Sequence, residues 1–203
     1  MPRTNPSPVH EAPPRPAPPG SRVRFWAARL VLLTACASVV ATSQATSPDV
    51  DSEKFEGAPL RLTTDAPRVT RPLVVRASAP KPVSKWVAGD MAVQATARWI
   101  PADPAQAVSP WLKLIITDEA GGAASTTSVI LTAGTPVALE GRGALSPDCE
   151  MGASCEWTPN VNFEVQANAV PGTVELEWTA QAHVHVVDTS SVPDGFSVSV
   201  SAP

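Results

Sequence analysis

Thr173-Val-Glu-Leu-Glu-Trp-Thr-Ala-Gln-Ala-His-Val-His-Val-Val187 alternates in character without a break. Val174, Leu176, Trp178, Ala180, Ala182, Val184 and Val186 share one parity, and Glu175, Glu177, Thr179, Gln181, His183 and His185 share the other. Successive side chains of an extended chain point to opposite faces, so this stretch predicts a long strand with one face in a core and one face in water.

The same rule carries outward from that strand. Met91, Val93, Ala95, Ala97 and Trp99 alternate with Ala92, Gln94, Thr96 and Arg98. Leu112, Leu114 and Ile116 alternate with Lys113, Ile115 and Thr117, and Asp118-Glu-Ala-Gly-Gly122 turns the chain into a strand over Thr126–Thr132. Val161, Phe163, Val165 and Ala167 alternate with Asn162, Glu164, Gln166 and Asn168 before the Pro171-Gly172 turn. Pro193-Asp-Gly195 leads into Phe196, Val198 and Val200, set against Ser197, Ser199 and Ser201. Eight or nine strands are expected, with no helical segment between them to support a βαβ unit. One solvated face per strand predicts an all-β antiparallel β-sandwich, immunoglobulin-like or jelly-roll-like, over residues 73–203. The two downstream cysteines lie too close in sequence for a true immunoglobulin core.

The first 72 residues read differently. Residues 1–21 hold eight prolines and predict a disordered leader. Two readings of it stay open: an extended leader, or a true start at Val23 that leaves residues 1–22 untranslated. Residues 22–45 read as an export signal. Arg22, Arg24 and Arg29 precede the twelve-residue run Leu30–Ala41, and Ser43-Gln44-Ala45 offers a small-residue cleavage site. The run falls short of the roughly 20 apolar residues that span a bilayer. Leu33-Thr-Ala-Cys36 resembles the bacterial lipobox over four residues, which implies lipidation of Cys36 and a membrane-anchored mature chain. The alternative is cleavage after Ala45. Residues 46–72, broken by Pro48, Pro59 and Pro67, predict a flexible tether with one edge strand near Leu60–Thr63.

Charge and cysteine usage narrow the function. Residues 46–203 carry 10 Lys+Arg against 18 Asp+Glu, a formal charge of −8. That balance, with no basic cluster, argues against nucleic acid and against an anionic membrane surface as partners. The expected localisation is exported: secreted or periplasmic, or lipid-anchored in the envelope. Cys149 and Cys155 form an even pair in an oxidising compartment, which predicts one disulfide stapling the Pro147–Thr158 loop.

Few residues suggest chemistry. His183 and His185 sit roughly 7 Å apart on one strand face and are a candidate metal pair. The His-x-His pattern resembles cupin metal sites, but the family's further histidine is missing. Glu175 and Glu177 lie roughly 27 Å back along the strand and cannot share their ion. No Gly-x-Ser-x-Gly turn or Ser/His/Asp order points to a nucleophile, and Gly141-Arg142-Gly143 reads as a turn. Trp86, Trp111 and Trp157 sit at segment ends and are candidates for a flat ligand platform. The expectation is a non-catalytic binding or cell-envelope structural module that needs no cofactor, whose partner is a protein or carbohydrate of the envelope or exterior. The alternatives are a carbohydrate-binding module using the tryptophans and a metal-dependent β-fold enzyme using the histidines.

Overall fold

The computed structural model describes residues 20–42, 46–82, 84–105, 108–118, 120–167 and 170–203. The Pro-rich leader up to residue 19, the cleavage triplet 43–45, Glu119 and Asn168 lie outside the described residues. Gly20–Thr42 is a helix, α1, that carries the arginines and the apolar run. No helix among the described residues is long and apolar enough to cross a membrane.

The remainder is an antiparallel β-sandwich of fourteen strands among the described residues: β1 (Val50–Asp51), β2 (Phe55–Glu56), β3 (Leu60–Thr63), β4 (Arg68–Pro72), β5 (Val74–Ser78), β6 (Lys85–Pro101), β7 (Trp111–Thr117), β8 (Ala123–Ile130), β9 (Pro136–Ala144), β10 (Cys149–Met151), β11 (Ser154–Trp157), β12 (Asn160–Val165), β13 (Gly172–Val186) and β14 (Ser197–Ser201). The alternating stretches of the sequence are strands where expected. Additional strands arise in two ways. Three lie in residues 46–72 besides the expected one at Leu60–Thr63, and steps at Leu73 and at Thr158-Pro159 each divide one extended run into two strands.

The first layer is a seven-stranded sheet built on β13 and β6, which pair antiparallel from Gly172↔Pro101 to Val186↔Val87. β9 and β10 extend it beyond β6. The second layer comprises β4-β12-β7-β8 and β11-β5-β14. Its two parts meet where the Leu73 N–H donates to the Pro159 carbonyl, so β4–β5 and β11–β12 run together as one kinked ladder. Val174, Leu176, Trp178, Ala180, Ala182, Val184 and Val186 are all buried between the layers, as are Met91, Val93, Ala95, Ala97 and Trp99. Alanines make the room that the large rings fill. Ala95 pairs with Trp178, and the Trp178 ring meets Phe163 edge-on and Phe55 at a tilt, both at 5.8 Å. Gly141 and Gly143 lie within β9, not in a turn. A β-carbon there would stand 2.9 Å from the Leu114 or Ile116 side chain, so these glycines let the two layers close together.

Residues 46–63 are not a tether here; they form the broken edge strand of the first sheet along β13. The physical reason is a five-residue repeat of a small residue and an apolar one: Ser47-x-x-Val50, Ser52-x-x-Phe55, Gly57-x-x-Leu60. The N–H groups of Ser47, Ser52 and Gly57 donate to the carbonyls of Val186, Ala182 and Trp178 at 2.9–3.0 Å. The two serine hydroxyls also accept from the Val186 and Ala182 N–H groups, at 2.9 and 3.0 Å. Each repeat thus advances five residues against four of β13, with the extra residue taken up as a bulge-like break in the ladder. Val50, Phe55 and Leu60 face Val184, Ala180 and Leu176 and pack on the core. Burying a serine hydroxyl without a partner costs about 1–3 kcal/mol, and here each hydroxyl accepts one bond and donates another, to the carbonyl of Pro48 or Glu53.

The third repeat needs glycine because the Trp178 indole fills the space a side chain would take; a β-carbon on Gly57 would lie 2.0 Å from Trp178 Cε2. The indole N–H donates to the Ala58 carbonyl at 3.2 Å and closes the contact. Gly57→Ala is therefore expected to lower unfolding free energy by about 1–3 kcal/mol. Gly152→Ala, where a β-carbon meets nothing within 4 Å, is expected to stay within about 0.5 kcal/mol of the parent. Urea midpoints of the two variants check this.

Candidate functional site

The outward face of the seven-stranded sheet carries a shallow groove. Its floor is the small outward side chains of β6, Ala92 and Thr96, flanked by Gln94. β13 supplies Glu177, Thr179, Gln181 and His183 on one side, and β9 supplies Ala138, Glu140 and Arg142 on the other. Lys54 and Glu56 reach over the rim from the edge segment. One part has a volume of about 500 Å³, and a neighbouring part of about 340 Å³ continues it along the strands. Arg142 Nε pairs with Asp90 Oδ1 at 3.0 Å, which holds the arginine along the sheet. Gln181 Nε2 donates to the Ser52 carbonyl at 2.9 Å, so the groove wall and the edge segment share a side chain.

The two histidines face outward side by side, as the alternation predicts. His183 Nδ1 lies 2.7 Å from Asp51 Oδ1 and His185 Nδ1 lies 3.0 Å from Asp49 Oδ1. Both aspartates come from the edge segment, so each pair straps residues 49–51 onto β13. Among the described residues no group of three His, Cys, Asp or Glu side chains is placed to hold a metal ion. A His–carboxylate pair is also how a metal-bound histidine is oriented, but here the carboxylates serve two different rings and supply no third ligand.

The tryptophans separate. Trp157 is 4% exposed, part of the core, and donates its indole N–H to the Pro147 carbonyl at 2.8 Å. It is therefore removed from any ligand platform. Trp111 is half-buried on the outward face of the second layer, with Lys113 Nζ 4.3 Å above its ring. Trp86 is 49% exposed on the outward face of the first layer, beyond the histidine end of the groove. The strand alternation could not reveal this division, because whether a tryptophan at a strand end faces core or water depends on what crosses over it.

Cys149 and Cys155 form a disulfide with a Cα–Cα distance of 6.0 Å. It does more than staple a loop. Cys149 lies on β10, which pairs with β6 of the first layer, and Cys155 lies on β11, which pairs with β5 of the second. The bond ties the two layers where the chain crosses between them, and Cys155 is buried in the core. Cys36 is exposed on α1 and outside any disulfide.

No protein-family model matches the chain, and no curated protein matches it. Among solved structures, one of infectious bursal disease virus (Gx strain) is similar at 12% identity and a TM-score of 0.28, covering 78% of this chain and 37% of that one. An arabinose-bound α-L-arabinofuranosidase is similar at 11% identity and a TM-score of 0.31, covering 68% and 23%. Broad bean stain virus is similar at 9% identity and a TM-score of 0.28, covering 72% and 92%. The chain thus spans well under half the length of the first two. Likenesses this distant assign neither family nor function.

Closing a loop as short as Cys149–Cys155 stabilises a fold by about 2 kcal/mol. The double variant Cys149→Ser/Cys155→Ser is expected to lose about that much, with the loss concentrated in β10 and β11. Hydrogen exchange with the urea midpoint checks both the size and the place.

Proposed function

We propose that this chain is an exported, non-catalytic binding module of the cell envelope or exterior, and that the groove on the seven-stranded sheet is its ligand surface. Export is supported by the basic–apolar–small pattern of residues 22–45 and by the Cys149–Cys155 disulfide, a bond that persists in oxidising compartments. Lipidation at Cys36, in place of cleavage after Ala45, would make the same module an anchored one.

The observation that carries the binding reading is the chemistry of the groove. Neutral hydrogen-bonding side chains (Gln94, Thr96, Thr179) lie between charges of both signs (Lys54 and Arg142, Glu140 and Glu177) over a floor of small residues. Such a surface suits an extended, hydroxyl-rich ligand better than an apolar or highly charged one, because it offers many hydrogen bonds and, with Glu56 at the rim, charges of both signs that nearly balance. The carbohydrate reading therefore moves from the three tryptophans to the groove, with Trp86 available at its end. The histidines are read as structural straps, since an aspartate faces Nδ1 of each ring.

Titrating the purified protein with envelope and extracellular polysaccharides, followed by side-chain amide NMR signals, tests the reading. Binding is expected to shift the Gln94 amide and to weaken about tenfold or more in Gln94→Ala and Glu140→Ala, since each truncation leaves a polar partner unpaired. Trp111→Ala is expected to bind like the parent. Saturable binding that survives both groove variants, or that Trp111→Ala abolishes, would remove the groove from the account.

A further inference from the structure

From Ala88 to Arg98 the outward residues of β6 are small or polar: Ala88, Asp90, Ala92, Gln94, Thr96 and Arg98. Ile100 keeps that parity but is large, apolar and 43% exposed. An exposed isoleucine alone means little; its surroundings mean more. Ile100, Pro101 and Pro104, with Arg98 and Trp99, face Ala133 and Gly134 across a cleft of about 430 Å³. That size and its mostly apolar lining are those of a small-molecule site. The cleft shares no lining residue with either part of the groove. Its walls are tied down: the Gly134 N–H donates to the Trp99 carbonyl at 2.9 Å, and the Ala102 N–H to the Pro171 carbonyl at 2.8 Å. Asp103 accepts from the Ala105 N–H at 2.9 Å and so fixes the turn that carries Pro104.

Arg98 is the one charged residue among the described residues that line the cleft. Its cross-strand neighbour on β13 is Glu175, but Glu175 pairs with Arg61 at 2.7 Å. Arg98 instead donates from Nε to the Gly134 carbonyl at 3.1 Å, which places the guanidinium at the Gly134 wall. Among the described residues no carboxylate pairs with it, and both of its terminal amino groups remain without a partner. On its other side Arg98 borders a hollow lined by Arg61, Glu175 and Glu177, where two cations face two carboxylates and leave no net charge to repel an anion.

We propose that this cleft binds an amphiphilic carboxylate, a molecule with one carboxylate on Arg98 and a short hydrocarbon chain against Ile100, Pro101, Pro104 and Ala133. The planar pair of free amino groups on a guanidinium matches the two oxygens of a carboxylate, and the apolar wall beside it takes the chain out of water. Because both walls are already held by backbone bonds, little freedom is lost when the cleft fills. The site is separate from the groove, so either can fail without the other.

Titration of the disulfide-intact chain at neutral pH, followed by the Ile100 methyl and Arg98 Nε–H NMR signals, tests this with octanoate as the probe. Octanoate is expected to bind about tenfold or more tighter than acetate, which has the charge without the chain, and than octanol, which has the chain without the charge. Arg98→Gln is expected to bring octanoate down to the affinity of octanol, and Arg98→Lys to recover part of the loss. Ile100→Ser is expected to weaken octanoate about fivefold or more. Each variant is expected to keep the circular dichroism spectrum of the parent. Ile130→Ser, which removes an isoleucine 61% exposed on the other layer, and Gln94→Ala in the groove are both expected to bind octanoate like the parent. No saturable shift of either signal, acetate or octanol binding as tightly as octanoate, binding that survives both Arg98→Gln and Ile100→Ser, or a loss at Ile130→Ser or Gln94→Ala instead would each overturn the proposal.

Discussion

The β13–β6 ladder is the constraint on which the remaining structure depends. Fifteen consecutive pairs join the two strands, and their inward side chains form one wall of the core. Because side chains alternate, a slip of β13 by one residue would turn Trp178 and its aliphatic neighbours to water and bury Glu175 and Glu177. The cost of such an exchange, several large apolar side chains at about 1.5–3 kcal/mol each, far exceeds anything the surface contributes. The exposed pairs Arg61–Glu175, Arg68–Glu164 and Arg76–Glu156 are each worth about 0–1 kcal/mol. Register is fixed by the core, and the ion pairs follow it.

With the ladder fixed, the outward face follows. The groove exists because β6 presents Ala92 and Thr96 between longer side chains on β13 and β9, and because the edge segment raises Lys54 and Glu56 at its rim. The edge segment in turn is held by β13 through backbone groups, two buried serines and the Trp178 indole. One strand therefore organises the core on one side, the groove on the other and the first residues of the sandwich along its free edge.

Much of this was legible in the sequence. Strict alternation over Thr173–Val187 and Met91–Trp99 named the buried and exposed residues of both central strands. The cysteine pair was legible from count and spacing, though not the fact that it ties two layers, since that depends on which strands its ends join. Residues 46–63 were not legible by alternation, because a strand that advances five residues for every four of its neighbour has no period of two. Its signal was the small-x-x-apolar repeat at Ser47, Ser52 and Gly57. Gly141-Arg142-Gly143 failed for a related reason: the glycines mark close approach of two layers, which a local reading takes for a turn. The groove was invisible until β9 was placed beside β6, since Gln94 and Glu140 are distant in sequence and meet only through pairing.

The measurement that tests the account most directly is residue-resolved hydrogen exchange of β13. If residues 46–63 complete the sheet, the Ala182 and Val186 amides, which donate to the Ser52 and Ser47 hydroxyls, are expected to exchange only at the rate of global unfolding. Ser52→Ala is expected to release Ala182 selectively. Exchange of both amides in the parent chain as fast as that of turn amides would contradict the account. It would leave β13 an open edge and the groove without its rim.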